Sequence, residues 1–168
     1  MTTTIIVISD THCHSWDEVS GDIRKKVSEA DIAVHCGDIV RQPVVDGFLK
    51  DAQKGYIVHG NSDPTELREA LPYIEVFEVE GVKIGAIHPA WGGPEFPPEE
   101  LFKDFDDVPD VILFGHTHVP MNRHIKNVLF VNPGQGYSSF MVDCTIAELT
   151  VRDGEVDSRI ITIKKNTP

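Results

Sequence analysis

Ile5, Ile6, Val7 and Ile8 form an uninterrupted β-branched run that stops at Ser9-Asp10. A continuous apolar run of this kind is the pattern of a strand buried on both faces. Between Trp16 and Ala30 the period changes: Val19, Ile23, Val27 and Ala30 recur at helical spacing, with Arg24, Lys25 and Lys26 mostly off the stripe on a solvated face. Asp31 to His35 is again strand-like. Gln42 to Gln53 predicts a helix with Pro43 near its start and Val44, Val45, Phe48, Leu49 and Ala52 on its apolar side. Tyr56 to His59 predicts a third strand, and a short helix follows through Leu71, with Asp63 as its N-cap and Pro64 at the first helical position. The first 71 residues therefore read as βαβαβα.

The second half alternates instead. Tyr73 to Val79 and Val82 to His88 flank Glu80-Gly81 as a hairpin, and Val111 to Phe114 is another buried strand. Further antiparallel strands are expected over His124 to Val131 and over Phe140 to Ile163, the latter interrupted at Arg152-Asp153-Gly154-Glu155. A Pro- and Gly-rich loop from Pro89 to Pro98 precedes a short helix over about Glu99 to Phe105. This order predicts an α/β fold of two mixed β-sheets packed as a sandwich and flanked by helices, the first sheet largely parallel. At 168 residues the chain fits a single domain, 1–168, able to bury a core without disulfides. Active sites in open α/β sheets collect at the carboxyl ends of the strands.

That is where the polar residues of interest fall. IIVISDTH, AVHCGD, YIVHGNSD, IGAIHP and VILFGHTH each end an apolar run in Asp, His or Asn. Together they present Asp10, His12, Asp38, Asn61, His88, His116 and His118, enough for two metal ions and too many for one. Asp10 and His12, two apart, can turn to one cation while Thr11 points away. Asp38 has two oxygens with which to bridge two cations and offset their repulsion. Asn61 offers a neutral oxygen, and Gly60 before it lets the backbone approach closely. His88 alone would pass for a satisfied core histidine. The two imidazoles of Gly115-His116-Thr117-His118 can each face a different ion of a pair. Each motif alone is weak, whereas all five in this order, each behind a strand, point to a dinuclear site.

Charge and cysteines narrow the picture. Lys and Arg number 15 against 27 Asp and Glu, a net charge of −12, so duplex nucleic acid would be repelled by most of the surface. Cys13, Cys36 and Cys144 are odd in number and lack C-x-x-C spacing, which argues against a disulfide framework or a zinc knuckle and fits a reducing cytoplasm. Cys36 and Cys144 sit in apolar runs as inert thiols; Cys13, between two histidines, is read the same way, with a thiolate ligand as the alternative. No signal-peptide pattern and no membrane-length apolar stretch is present, so a soluble cytoplasmic protein is expected.

These motifs resemble those of the calcineurin-like metallophosphoesterases, specifically the small bacterial and archaeal branch: D-x-H, G-D, G-N-x-D, a strand-ending H, and G-H-T-H. The resemblance runs from Ile5 to about Gly136, where Asn132-Pro133-Gly134 looks like the family's N-P-G turn. It implies one metal held by Asp10, His12, Asp38 and His118 and another by Asp38, Asn61, His88 and His116. It implies two divalent ions, manganese first, with nickel, iron, zinc and cobalt as alternatives. It also implies hydrolysis of phosphodiesters, or of phosphomonoesters, of small substrates by a hydroxide activated between the metals, with Asn61 and His88 aiding catalysis. Small relatives often pair, so a homodimer is compatible with it.

The chain departs from the family in three places. Many relatives carry a histidine after the Asn, thought to protonate the leaving group; here Ser62 and Asp63 follow. His14 stands where relatives commonly have a small residue, and it is the candidate replacement acid. Pro89 replaces a usual Gly, and with Trp91-Gly92-Gly93-Pro94 it is expected to reshape the pocket rim. Trp91 is the substrate-binding candidate there, beside Phe96 and Tyr137. His35, His59 and His124 read as packing or supporting donors. A non-catalytic alternative is a protein-interaction scaffold like the retromer subunit Vps29, a relative with a degraded metal site. A nuclease is disfavoured by the charge and by the lack of room for a DNA-binding domain.

Overall fold

The computed structural model describes residues 1–91, 93 and 95–164. β1 (Thr2–Ile8) is central to a sheet ordered β10-β9-β1-β2-β3, with β2 at Ile32–His35, β3 at Gly55–Ile57, β9 at Cys144–Arg152 and β10 at Glu155–Lys164. β1, β2 and β3 run parallel, whereas β9 pairs antiparallel with β1 and with β10. The expectation of a largely parallel first sheet is corrected accordingly. The C-terminal hairpin returns to the free edge of β1, so parallel and antiparallel pairings are equal in number.

The second sheet is ordered β4-β5-β6-β8-β7, with β4 at Ile74–Val79, β5 at Val82–Ile87, β6 at Val111–Phe114, β7 at Met121–Ile125 and β8 at Val128–Asn132. The expected strand from His124 to Val131 is in fact a hairpin. Lys126 (φ 49°) and Asn127 (φ 65°) form a two-residue turn, and β8 then pairs parallel to β6. Positive φ at both central residues suits the right-handed twist of the flanking strands. Glu80-Gly81 and Asp153-Gly154 turn the same way.

Alternation along β1 builds two layers at once. Ile5 and Val7 face the second sheet, packing with Val34, Ile84, Leu113, Val131 and Leu149. Ile6 and Ile8 face α1 (Gly21–Glu29) and α2 (Gln42–Asp51), meeting Ile23, Val27, Val44 and Phe48. Each fully buried Ile contributes about 1.5–3 kcal/mol by leaving water. The helix predicted over Trp16 to Ala30 breaks into a 3-10 turn (Trp16–Glu18) and α1, because the Ser20 side chain accepts from the Asp22 N–H and restarts the helix there. The outer face of the second sheet carries no α-helix among the described residues. A 3-10 helix, Pro98–Asp104, covers it, placing Leu101 against Phe114 and Phe130.

α3 (Thr65–Ala70) is capped by Pro64, not by Asp63. The Asp63 carboxylate, 2% exposed, is committed elsewhere. It accepts the N–H groups of Asp38 (3.1 Å), Ile39 (2.7 Å), Val40 (2.6 Å) and Gly60 (2.7 Å).

Candidate metal centre

Five of the seven candidate ligands have left-handed backbones: Asp10 (φ 52°), His12 (φ 43°), Asp38 (φ 57°), His116 (φ 84°) and His118 (φ 61°). Such conformations cost roughly 1–3 kcal/mol each and persist only where the surroundings impose them. Here the surroundings are the turns that follow β1, β2 and β6, locked to one another. The Asp10 N–H donates to the Gly37 carbonyl (3.0 Å), the His12 N–H to the Asp38 carbonyl (3.3 Å) and the His116 N–H to Asp10 Oδ2 (3.2 Å), while the Gly136 N–H, beyond β8, donates to the Ser9 carbonyl (2.8 Å). Asp63 holds the Asp38 turn through three of its four N–H bonds and ties it to Gly60 through the fourth. Two glycines exist for close approach. A Cβ at Gly60 would lie 2.1 Å from Asp38 Oδ1, and one at Gly115 would lie 2.1 Å from Ser9 Oγ.

One atom each of Asp10, His12, Asp38 and His118 lies within 4.8 Å of all the others. His118 Nε2 is 3.2 Å from Asp10 Oδ1, and His12 Nε2 is 3.4 Å from Asp38 Oδ2. Asp10 Oδ1 and His12 Nε2 are buried without a hydrogen-bond partner among the described residues. Buried acceptors left unpaired cost too much to be incidental.

The other three candidates converge beside this group. Asn61 Oδ1 is 2.8 Å from His88 Nε2 and 3.0 Å from His116 Nδ1, and His88 Nε2 is 3.4 Å from Asp38 Oδ1. His88 Nδ1 lies 2.8 Å from the Cys36 carbonyl, which only accepts, so Nδ1 carries the proton. In the neutral ring the Nε2 lone pair then points at two oxygens. Lone pairs converging in this way, like the orphaned atoms of the first group, are satisfied by cations, and the donor set fits the divalent metals the motifs imply. Asp38 faces both groups.

Electrostatics agree. Burial would raise the Asp10 carboxyl, but His118, His12, His88 and Ser9 outweigh it and hold the group well below the usual carboxylate range. His118, its Nε2 3.2 Å from that carboxylate, is pushed up to about 9 by it against the opposing effect of burial. His116 is lowered by burial and by neighbouring His88.

Supporting contacts set the ligand tautomers. His118 Nδ1–H donates to Gln135 Oε1 (2.8 Å), and the Gln135 amide is oriented by donating from Nε2 to the Tyr137 carbonyl (2.8 Å) and Ser139 Oγ (2.9 Å). His35 is fully buried and lowered to about 4 chiefly by that burial, hence neutral. Its Nδ1 accepts from the Gly37 N–H (3.2 Å) and its Nε2–H donates to Thr11 Oγ1 (3.0 Å), tying the first two ligand turns together. Asn132 Nδ2 donates to Thr117 Oγ1 (3.0 Å) and its Oδ1 accepts from the Gly134 N–H (2.9 Å), so the N-P-G turn braces the loop carrying His116 and His118. Nothing in residue spacing marks Gln135 or the bracing role of Asp63; both depend on buried contacts between distant segments.

The remaining candidates lie further out. The His14 side chain is 74% exposed and 3.9 Å from Glu18. Trp91 donates its indole N–H to Asp104 (3.0 Å), lies under Lys103 and meets Phe96, one ring removed from His116. Gly92 and Pro94 of the expected rim lie outside the described residues. His59 lies tilted against Tyr73, ring centroids 5.7 Å apart at 36°, and His124 is exposed on β7. Cys13 is buried, with its thiol raised first by that burial, as an inert residue would be.

The description of the calcineurin-like phosphoesterase superfamily domain matches residues 3–154. A probable metallophosphoesterase of Methanocaldococcus jannaschii is 31% identical over 164 residues, covering 95% of this chain and 81% of that protein. A phosphodiesterase of the same organism is 27% identical over 146 residues, covering 77% of this chain and 81% of its own length. In fold, Vacuolar Protein Sorting 29 of Cryptosporidium parvum superposes with a TM-score of 0.76 at 20% identity, covering 98% of this chain and 99% of that one. No helix among the described residues is long and apolar enough to cross a membrane.

Proposed function

This chain belongs to the calcineurin-like phosphoesterase superfamily, and from that premise we propose that it hydrolyses small phosphodiesters at a centre of two divalent metal ions. The observation that carries the reading is a pair of buried atoms, Asp10 Oδ1 and His12 Nε2, with no hydrogen-bond partner among the described residues, inside a cluster of four possible ligands. Asp10, His12, Asp38 and His118 would hold one ion, and Asp38, Asn61, His88 and His116 the other. When bound, such a pair supplies Lewis acidity, lowering the pKa of a water and neutralising charge on phosphate oxygens.

The chain's own residues do the positioning. Asp38, with its Oδ1 fixed by the Ser62 N–H (2.9 Å), spans the two groups. Gln135 and the Cys36 carbonyl keep the Nε2 atoms of His118 and His88 free to ligate. The Asn61 amide and the His116 ring stand at the open side, where phosphate oxygens would arrive. Protonation of the leaving oxygen is assigned to His14, which must rotate away from Glu18 to perform it.

A diester is favoured over a monoester by charge. Among the described residues no Lys or Arg is hydrogen bonded or ion paired to any of the seven ligands, and the groups that chiefly shift Asp10, His116 and His118 include none. A doubly charged monoester would find no basic side chain bonded to the ligands among the described residues to meet its second charge, in a protein of net charge −12. Manganese is the proposed ion, with the site set in the cytoplasm.

The test is turnover of bis-4-nitrophenyl phosphate by protein loaded in turn with Mn, Ni, Co or Zn, alongside metal counting. Metal-dependent turnover with two ions per chain is expected. No turnover with any of them would favour the scaffold reading that the Vps29-like fold allows.

A further inference from the structure

Each ligand group has an aromatic ring against one of its imidazoles. Tyr137 meets His12 edge-on, ring centroids 5.9 Å apart at 72°, and Phe96 lies tilted over His116 at 6.4 Å and 33°. Within the groups the imidazoles lie close, His12 to His118 at 5.4 Å and His88 to His116 at 5.3 Å.

Both aromatic rings are held in place. Phe96 is backed by Trp91 (5.3 Å) and Phe114 (6.0 Å), and the Trp91 indole is pinned to Asp104. The Tyr137 main chain is fixed by the buried Gln135 amide. Both rings are half-buried, so each keeps surface to offer.

We infer that the site prefers singly charged phosphodiesters carrying planar ring groups, one ring seated against Tyr137 and the other against Phe96. This rests on the phosphoesterase reading and adds the class of organic group. With no basic side chain among the described residues bonded to the ligands, the phosphate would be held through the metal centre in every ester alike. Discrimination then falls to what stands beside each ligand group, and there the structure places rings. A planar π-system can stack or pack edge-to-face there, whereas a short alkyl group leaves the rings exposed to water.

The experiment compares 4-nitrophenyl phenyl phosphate with 4-nitrophenyl ethyl phosphate, which share charge and leaving group and differ in the second ester alone. In the wild type, KM is expected to be roughly 10-fold lower for the phenyl ester, the scale of one aromatic contact. Tyr137→Leu and Phe96→Leu should each bring that ratio to within about 2-fold, because the nitrophenyl ring then takes the one remaining wall. Tyr137→Phe should keep the ratio. Metal content and the thermal midpoint of each variant report that it is loaded and folded. A wild-type ratio near one, or a ratio surviving both Leu variants, overturns the proposal.

A second arm does not depend on turnover. Ethyl phenylphosphonate added to the zinc-loaded protein should shift the ring resonances of Tyr137 and Phe96, and ethyl butylphosphonate should not. Equal shifts from both, or none from either, overturn the proposal even if a Leu variant fails to fold. Failure of both esters to turn over with any metal would sink the phosphoesterase reading instead, leaving this arm to judge the rings by themselves.

Discussion

His118 donates its Nδ1 proton to Gln135 Oε1 at 2.8 Å, which turns its Nε2 toward Asp10. A partner that fixes a ligand's tautomer typically accounts for 10–100-fold in metal affinity. Gln135→Leu should therefore bind manganese about 10-fold more weakly by calorimetry, with the loss concentrated at one of two sites. Unchanged affinity at both sites would show that His118 is oriented without it.

Asp38 faces both ligand groups, so Asp38→Ala should release both ions, whereas His12→Ala and His116→Ala should each release one. Metal counting by plasma mass spectrometry distinguishes these outcomes. Retention of one full equivalent by the Asp38 variant would rule out a shared ligand.

Asp63 joins the Asp38 turn to the Asn61 turn through four backbone N–H groups. Bonds to a charged acceptor are worth about 1.5–3 kcal/mol each, and they are not additive within one network. Asp63→Ala should cost about 3–5 kcal/mol in denaturant unfolding of the metal-free protein. A cost below ~1 kcal/mol would mean the turns hold themselves.

The metal-free protein holds a proton on His118, whose pKa is raised by Asp10 to about 9 from its ordinary 6.5. A raised folded value means that this pair stabilises the fold fully below pH 6.5 and that the contribution is lost as pH rises through about 9. Metal must displace the same proton. Affinity at that site should then climb by up to tenfold per pH unit and level off near pH 9, with proton release measured by titration in buffers of different ionisation heat. No proton release at pH 7 would contradict this.

His14 is turned outward to Glu18. If it protonates the leaving group, His14→Ala should slow an alkyl ester by about 10²-fold, while a 4-nitrophenyl leaving group is affected little. Unchanged turnover of both esters would remove His14 from the mechanism.

Much of this was legible in the order of residues. Ile5 to Ile8, Val111 to Phe114 and the Glu80-Gly81 hairpin are local patterns, because strand burial and two-residue turns depend on neighbours a few positions away. The seven candidate ligands announce themselves for the same reason, each closing an apolar run. The Lys126-Asn127 turn is not legible in this way, because its signal is weak beside the strand-like residues around it.

What the order of residues determined by itself is the inventory: which donors exist and that each stands at a strand end. Tertiary structure alone decided that Asp63 braces two ligand turns when it could have capped α3, that Gln135 orients His118, and that Tyr137 comes to His12 and Phe96 to His116. A buried carboxylate or amide takes whatever backbone groups packing brings to it. Those groups come from segments such as Asp38 to Val40 for Asp63 and His118 for Gln135, too far along the chain for any local period to record.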